Sequence, residues 1–138
     1  MEFAFWAGMN GETLQQIKNV LLERWTDLGE LMNRAEKENL NMSSNFEQSH
    51  AEIIDMAQTL EQMDRDASLA EQERREMHAV ERALAKMSTG NFGICEDCAE
   101  EIPSRRLMAI PSARLCANCQ AYEERQNARM RTVAGAAR

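Results

Sequence analysis

Aromatic side chains are scarce in this sequence, and proline and glycine are few as well. Phe, Trp and Tyr together make up 5% of the 138 residues, and the chain holds two prolines and six glycines. Sheet-rich domains use more aromatic and turn-forming residues, so this composition favours helices over sheet. At this length we expect one domain with a modest core.

Long hydrophobic runs are absent too. No apolar stretch approaches the 18 residues that a membrane-spanning helix needs. Residues 1–9 (MEFAFWAGM) are apolar, but they lack the basic start and the cleavage site of a secretory signal. We therefore expect a cytoplasmic protein with no membrane partner, in which thiols stay reduced.

Positive charge is also in deficit. The chain carries 16 Lys and Arg against 23 Asp and Glu, for a net charge of −7. Residues 1–90 contain 17 acids and 9 bases, whereas residues 91–138 contain 6 acids and 7 bases. A nucleic-acid-binding domain normally shows a basic face, so sequence-specific contact with nucleic acid is not expected.

What the chain does contain is four cysteines in two CxxC pairs. Cys95 and Cys98 form the first pair, Cys116 and Cys119 form the second, and 17 residues separate the pairs. This spacing is typical of a tetrahedral Zn²⁺ site with Zn–S bonds of about 2.3 Å. Four protein ligands leave no open coordination position, so we predict one structural zinc ion.

Two other interpretations of these cysteines stay open, namely two redox dithiols or a pair of disulfides. Nothing around them alternates like the buried strand that accompanies a thioredoxin-type CxxC, which favours the metal. The chain shows no arrangement that indicates a nucleophile, a paired acid and base, or a phosphate-binding loop. We therefore expect that the protein is not an enzyme.

Two apolar stripes at helical spacing precede the cysteines. The first follows Leu14, Ile17, Leu21, Trp25, Leu28, Met32 and Ala35, and the second follows Ala57, Leu60, Met63, Ala67, Ala70, Met77, Val80, Leu84 and Met87. We interpret both as core-facing, and Trp25 as a packing residue of the base. Gly90 suits the end of the second helix. The polar stretch 41–50 joins them, so we predict a mainly α fold: a long antiparallel two-helix coiled-coil hairpin, a four-cysteine zinc finger and a C-terminal helix.

The turn of this hairpin is acidic. Residues 41–57 contain Glu47, Glu52 and Asp55 but neither Lys nor Arg. An acidic tip on a long hairpin suits a basic channel or a metal ion in another molecule. The alternative is that these acids only solvate the loop or cap the second helix near its N-terminus.

The region around the cysteines resembles the zinc finger of the DksA/TraR family. The resemblance rests on the segment 91–98 (NFGICEDC) and on Ile102, Arg105, Arg106, Leu107, Ala109, Pro111, Ala113, Leu115 and Cys116. It is detailed over residues 91–126, and the two-helix pattern extends it over most of the chain. Members of this family bind bacterial RNA polymerase through its secondary channel, so the resemblance implies the same partner here.

The resemblance also implies a functional tip. In the family an acid, two residues, an Asp, one residue and an Ala lie near the polymerase active site and alter open-complex stability. Counted back from the first cysteine, these positions fall on Glu52, Asp55 and Ala57. The basic residues with which DksA helps to form a site for the alarmone ppGpp correspond to Ala79, Ile110 and Gln120. The resemblance therefore implies no strong ppGpp dependence through a DksA-type site.

These features divide the chain into four parts. They are an N-terminal segment (1–11), folded or flexible; the hairpin (12–90) with its tip at about 41–57; the finger (91–121); and the C-terminal helix and tail (122–138). We expect a monomeric transcription regulator. Two functions of other classes stay open: a zinc-finger DNA-binding protein, which the acidic balance disfavours, and a thiol redox-sensing chaperone, which would exchange its metal for disulfides reversibly.

Overall fold

The computed structural model describes residues 9–45 and 53–136. Four helices follow one another: α1 (Gly11–Asn45), α2 (Ile53–Thr89), α3 (Ser104–Ala109) and α4 (Ala117–Ala136). Within the described ranges, a single antiparallel bridge between Ile94 and Glu101 is the only extended pairing. The predicted fold class is confirmed, since a mainly α chain places two long helices before a four-cysteine cluster and a C-terminal helix.

Local chemistry explains where the long helices begin and end. Asn10 caps α1, because its Oδ1 atom accepts a hydrogen bond of 2.8 Å from the amide of Thr13. At the end of α2, Gly90 has a φ of 80°, and the amide of Asn91 donates to the carbonyl of Lys86 at 3.0 Å. This is a Schellman motif, in which glycine adopts the left-handed conformation without a Cβ penalty.

Both helices extend further towards the turn than the apolar stripes predict. α1 continues to Asn45, and α2 begins at Ile53, four residues before Ala57. Glu36, Lys37 and Glu38 are good helix formers that continue α1 past its stripe. The residues 41–45 (NMSSN) are mostly weak helix formers, so helix propensity does not explain the last turn. Glu47 and Glu52 lie outside the described residues.

The chain forms two compact units. The finger unit combines the described part of residues 1–21 with residues 82–136. Gly11 and Lys18 of α1 line one cavity together with Leu84 and Ser88 of α2, so the start of α1 lies beside the end of α2. The buried apolar side chains of this unit are Ile17, Leu21, Ala83, Phe92, Cys95, Ile102, Leu107 and Leu115.

The hairpin unit contains the described residues between 22 and 81. Arg24 of α1 makes two hydrogen bonds to Glu76 of α2, at 2.6 and 2.8 Å, and Gly29 lies beside Met77. Trp25 contacts Glu81 and Gly29 lies beside Met77, so residue numbers rise along α1 as they fall along α2 and the helices are antiparallel within the unit. Among its described residues only Leu28 and Val80 are fully buried apolar side chains, so the core of this unit is thin.

The prediction that the whole second stripe faces a core is wrong. Val80 is buried, but Leu60 is 56% exposed and Met63 is 48% exposed. The register set by Arg24 and Glu76 places Met63 opposite the polar stretch that begins at Glu36. Because α1 presents no apolar stripe there, the two helices have little apolar surface to bury between them.

The assignment of Trp25 as a packing residue of the base is also wrong. Trp25 belongs to the hairpin unit and is 45% exposed. It lies at the edge of the α1 stripe, beside the buried Leu21 and Leu28, and its Nε1 atom donates to Glu81 at 3.3 Å. An indole at the edge of a thin seam satisfies its N–H on a polar neighbour and leaves part of its ring in solvent.

Candidate metal centre and hairpin tip

The first CxxC pair lies in a tight turn after α2. The amide of Cys95 donates to the carbonyl of Glu100 at 2.8 Å, and the amide of Ala99 donates to the carbonyl of Cys95 at 3.0 Å. Ala99 has a φ of 59°, a conformation that costs an L-residue about 1 kcal/mol. The turn therefore holds Cys95 and Cys98 on one side of a closed loop.

The second CxxC pair starts α4. The amide of Cys116 donates to the Sγ atom of Cys95 at 3.3 Å, and the amide of Cys119 donates to the Sγ atom of Cys116 at 3.5 Å. Because α4 begins at Ala117, Cys119 lies in its first turn. Amides at a helix N-terminus stabilise negative charge, which suits a thiolate at this position.

The four sulfurs lie close enough to share one ion. All four Sγ atoms lie within 4.8 Å of one another, and those of Cys98 and Cys116 are 3.9 Å apart. A tetrahedral zinc site with bonds of about 2.3 Å requires about 3.8 Å between ligand atoms, whereas a disulfide requires about 2 Å. The cluster therefore fits a single tetrahedral ion better than bonded pairs.

The surroundings of Cys95 favour the thiolate form of its side chain. Burial raises the pKa of the Cys95 thiol, but hydrogen bonds from the amides of Cys98, Cys116 and Asp97 outweigh burial and bring the pKa to about 6. A hydrogen bond to the Cys116 sulfur is the largest cause that raises the pKa of Cys119. Crowded thiolates repel one another, so four of them require a dication, and metal binding releases the remaining protons.

Apolar and polar contacts close the finger around the cysteines. Phe92, Ile102, Leu107 and Leu115 are buried. Arg106, which is half-buried, donates from Nε to the carbonyl of Leu115 at 3.2 Å and from its guanidinium to the side chain of Gln120. Of the arginine pair in the sequence, Arg106 therefore has a structural role, whereas Arg105 is exposed.

An ion-pair network that the sequence did not indicate braces the finger. Glu96 lies between the first two cysteines and contacts Lys86 of α2 at 2.7 Å and Arg114 at 3.7 Å. Arg114 also pairs with Glu123 of α4. The hydrogen bond from Lys86 is the largest cause that lowers the pKa of Glu96. Because its members come from separate segments, no spacing rule in the sequence identifies this network.

Asp55 and Ala57 of the candidate tip belong to the hairpin unit, whereas the four cysteines belong to the finger unit. Asp55 is exposed in the first turn of α2, and its carbonyl accepts a hydrogen bond from the Thr59 hydroxyl at 2.8 Å. Ala57 is exposed one residue further on. Glu52 lies outside the described residues.

Within the described residues, every helix is too short or too polar to cross a membrane. Among the described residues, the cluster of candidate metal ligands consists of the four cysteines. His78 is exposed and contacts Glu81 at 3.6 Å, and His50 is outside the described residues.

The comparisons with known proteins agree with this site. A family model described as the prokaryotic dksA/traR C4-type zinc finger matches residues 90–125. An uncharacterized protein of Aquifex aeolicus is 36% identical over 121 residues, which cover 86% of this chain and 81% of that protein. The RNA polymerase-binding transcription factor DksA of Salmonella typhimurium is 31% identical over 117 residues, which cover 84% of this chain and 74% of that protein.

A solved structure shows the same fold. The transcription factor DksA2 of Pseudomonas aeruginosa matches with a TM-score of 0.70 and 25% identity, over 88% of this chain and 90% of that one. The matched finger and the cluster of four sulfurs together establish one structural zinc ion. With a curated DksA relative covered over about three quarters of its length, the chain belongs to the DksA/TraR family.

Proposed function

We propose that this protein regulates bacterial transcription by binding RNA polymerase through the secondary channel, where the hairpin tip alters open-complex stability. The proposal is supported by family membership and by relatives named as RNA polymerase-binding transcription factors. On this proposal the protein acts in the cytoplasm as a monomer and is not an enzyme. It also makes no sequence-specific contact with DNA.

The single observation that carries the mechanism is the setting of Asp55. Its carboxylate is exposed at the start of α2 and forms no ion pair with any described residue. Ala57 adds no bulk beside it. A free carboxylate brought close to the polymerase active site changes local charge while adding little contact area, so it favours one polymerase state over another. Glu52 is proposed as the second acid of the same tip.

Charge supports the entry of the hairpin into a basic channel. Residues 22–81 carry 15 acidic and six basic side chains, a net charge of −9. This imbalance opposes binding to DNA, whose phosphates attract basic surfaces. It favours a cation-rich channel, and it raises the rate of encounter at low ionic strength.

The substitutions at the alarmone positions support ppGpp independence. Gln120 accepts a hydrogen bond from Arg106 and donates to Glu124 at 2.9 Å, and Ile110 is 43% exposed without offering a charge. Ala79 is half-buried. Tight binding of a tetraphosphate relies on cationic side chains, and none of these three side chains carries a positive charge.

The test is Asp55→Asn, which keeps the shape of the side chain and removes its charge. We expect its affinity for core RNA polymerase to stay within about three-fold of the wild type, since one exposed charge contributes little to binding. The protein-induced change in open-complex lifetime at a sensitive promoter should disappear. Ala57→Thr, which adds bulk beside the carboxylate, should act in the same way.

Asp64→Asn is the matched control, because Asp64 is an exposed acid of α2 away from the tip. It should retain both binding and the effect on lifetime. If Asp55→Asn lost binding and effect together, or lost neither, the carboxylate would be an ordinary helix cap and the tip mechanism would be wrong.

A further inference from the structure

Trp25 is an exposed aromatic side chain held in a fixed orientation. Its side chain is 45% exposed, and its Nε1 atom donates to Glu81 of α2 at 3.3 Å. Glu81 in turn lies 3.6 Å from His78. A hydrogen-bonded indole loses little conformational freedom on binding a partner, which makes it a good anchor.

One exposed apolar side chain lies next to Trp25 on the same side of α1. Leu22, one turn before it, is 43% exposed. Gly29, one turn after it, has no side chain, and a Cβ atom there would lie 3.9 Å from Met77. Leu22, Trp25 and Gly29 follow one another at steps of three and four, so they share one side of the helix. Leu22 and Trp25 are exposed apolar side chains on this side of α1, whereas the Gly29 position faces Met77 of α2.

A carboxylate borders these apolar side chains. Glu81 is beside the ring, and the hairpin unit as a whole has a net charge of −9. The nearest arginine of α1, Arg24, is already paired with Glu76 through two hydrogen bonds. An apolar anchor with an acidic border is complementary to an apolar pocket bordered by Lys or Arg.

We propose that Leu22, Trp25 and Glu81 form a docking face for a basic, apolar surface of RNA polymerase, and we call it the Trp25 face. The inference rests on the proposed function and extends it from the tip to the side of the hairpin. The Trp25 face supplies affinity, whereas Asp55 supplies the effect. Tryptophan anchors of this kind dominate the energy of many protein interfaces.

The test measures the affinity of core RNA polymerase for fluorescently labelled full-length chain by anisotropy. Trp25→Ala should weaken binding about 30-fold, the size of a typical aromatic hot spot, and Trp25→Phe should weaken it less. Glu81→Lys should weaken binding most at low ionic strength, because it places a cation against the basic border. Leu31→Ala is the matched control, since Leu31 is 36% exposed on another side of α1, and it should bind like the wild type.

Helix content and zinc content show whether each variant folds. Should Trp25→Ala reduce either, Leu22→Ala makes the same test, with an expected loss of about five-fold. Wild-type affinity for both Trp25→Ala and Leu22→Ala would overturn the Trp25 face while leaving the proposed function intact. A wild type that does not bind polymerase would instead overturn the proposed function. A wild-type dimer that Trp25→Ala dissociates would reassign the face to self-association and contradict the proposal.

Discussion

Ala99 shows how single residues shape the metal centre. It adopts a φ of 59°, and its amide closes the first cysteine turn by donating to the backbone carbonyl of Cys95 at 3.0 Å. The backbone strain of about 1 kcal/mol is tolerated because the turn brings two sulfurs into the cluster. The amide of Cys116 donates a hydrogen bond to the Sγ atom of Cys95 at 3.3 Å. The finger thus depends on sulfur atoms as hydrogen-bond acceptors as well as metal ligands.

Cys116→Ser tests this dependence at the residue scale. The Cys116 sulfur lies 3.9 Å from that of Cys98 and accepts the amide of Cys119, so its loss removes a ligand and a helix-start contact. We expect zinc content to fall from about one per chain to well below one, because a finger this small folds together with its metal. Metal analysis after gel filtration and far-ultraviolet circular dichroism measure the two effects.

The long helices should survive in that variant, so most of the helical signal should remain. Arg105→Ser, an exposed change in the same finger, should keep its zinc. One zinc ion per chain retained in Cys116→Ser would contradict the assignment of four ligands.

At the scale of elements, α1 and α2 of the hairpin unit are joined by few contacts. Leu28 and Val80 are its fully buried apolar side chains among the described residues. Against so thin a core, the paired hydrogen bonds from Arg24 to Glu76 matter more than an ordinary surface ion pair. Their bidentate geometry supports a contribution of about 1 kcal/mol, after allowance for solvent screening.

The pair predicts a pH dependence of hairpin stability. The hydrogen bond from Arg24 is the largest cause that lowers the pKa of Glu76 below its ordinary value of 4.5, against the opposing effect of desolvation. A pKa that is lower in the folded state gives stability that is full above the unfolded value and is lost as pH falls through the folded value. The advantage of the wild type over Glu76→Gln should therefore be present above about pH 5 and shrink below 4.5.

Thermal unfolding of both proteins from pH 3 to 7 measures this difference. Zinc loss at low pH affects both equally and cancels in the comparison. Glu61→Gln is the control, because Glu61 is an exposed acid on the same helix, and its difference from the wild type should be flat with pH. A difference for Glu76→Gln that grew as pH fell would contradict the argument.

The two units of the molecule differ in net charge. Residues 22–81 carry a net charge of −9, whereas the remaining residues carry eight acids and ten bases, a net of +2. The hairpin unit thus concentrates the acidity of the chain. Association with a basic channel should weaken as salt screens these charges beyond about 10 Å.

The whole-molecule prediction concerns ppGpp. Ala79, Ile110 and Gln120 offer no cation to a tetraphosphate, and the neighbouring Arg106 is held by Leu115 and Gln120. In a transcription assay with polymerase that lacks its own alarmone site, the effect of the protein should be equal with and without ppGpp. Asp55→Asn, run in parallel, shows the baseline without regulation. A large synergistic gain from ppGpp would contradict the prediction.

Features that depend only on residues close together in the chain are predictable from the sequence. The zinc site is predicted from Cys95, Cys98, Cys116 and Cys119, because each CxxC turn is local and zinc prefers thiolate ligands. Gly90 indicates the end of α2, because this signal depends only on the backbone conformation of the glycine itself. The two long helices are predicted from the periodicity of their apolar residues for the same reason, since an apolar stripe is a property of one segment.

Which parts of those stripes are buried depends on the tertiary structure. Val80 is 2% exposed and Met63 is 48% exposed, because burial depends on what the opposite helix presents. The same holds for the half-exposed ring of Trp25 and for the network of Lys86, Glu96 and Arg114, whose members come from separate segments. Pairwise contacts between distant segments have no period in the sequence, so they become visible only when the chain is folded.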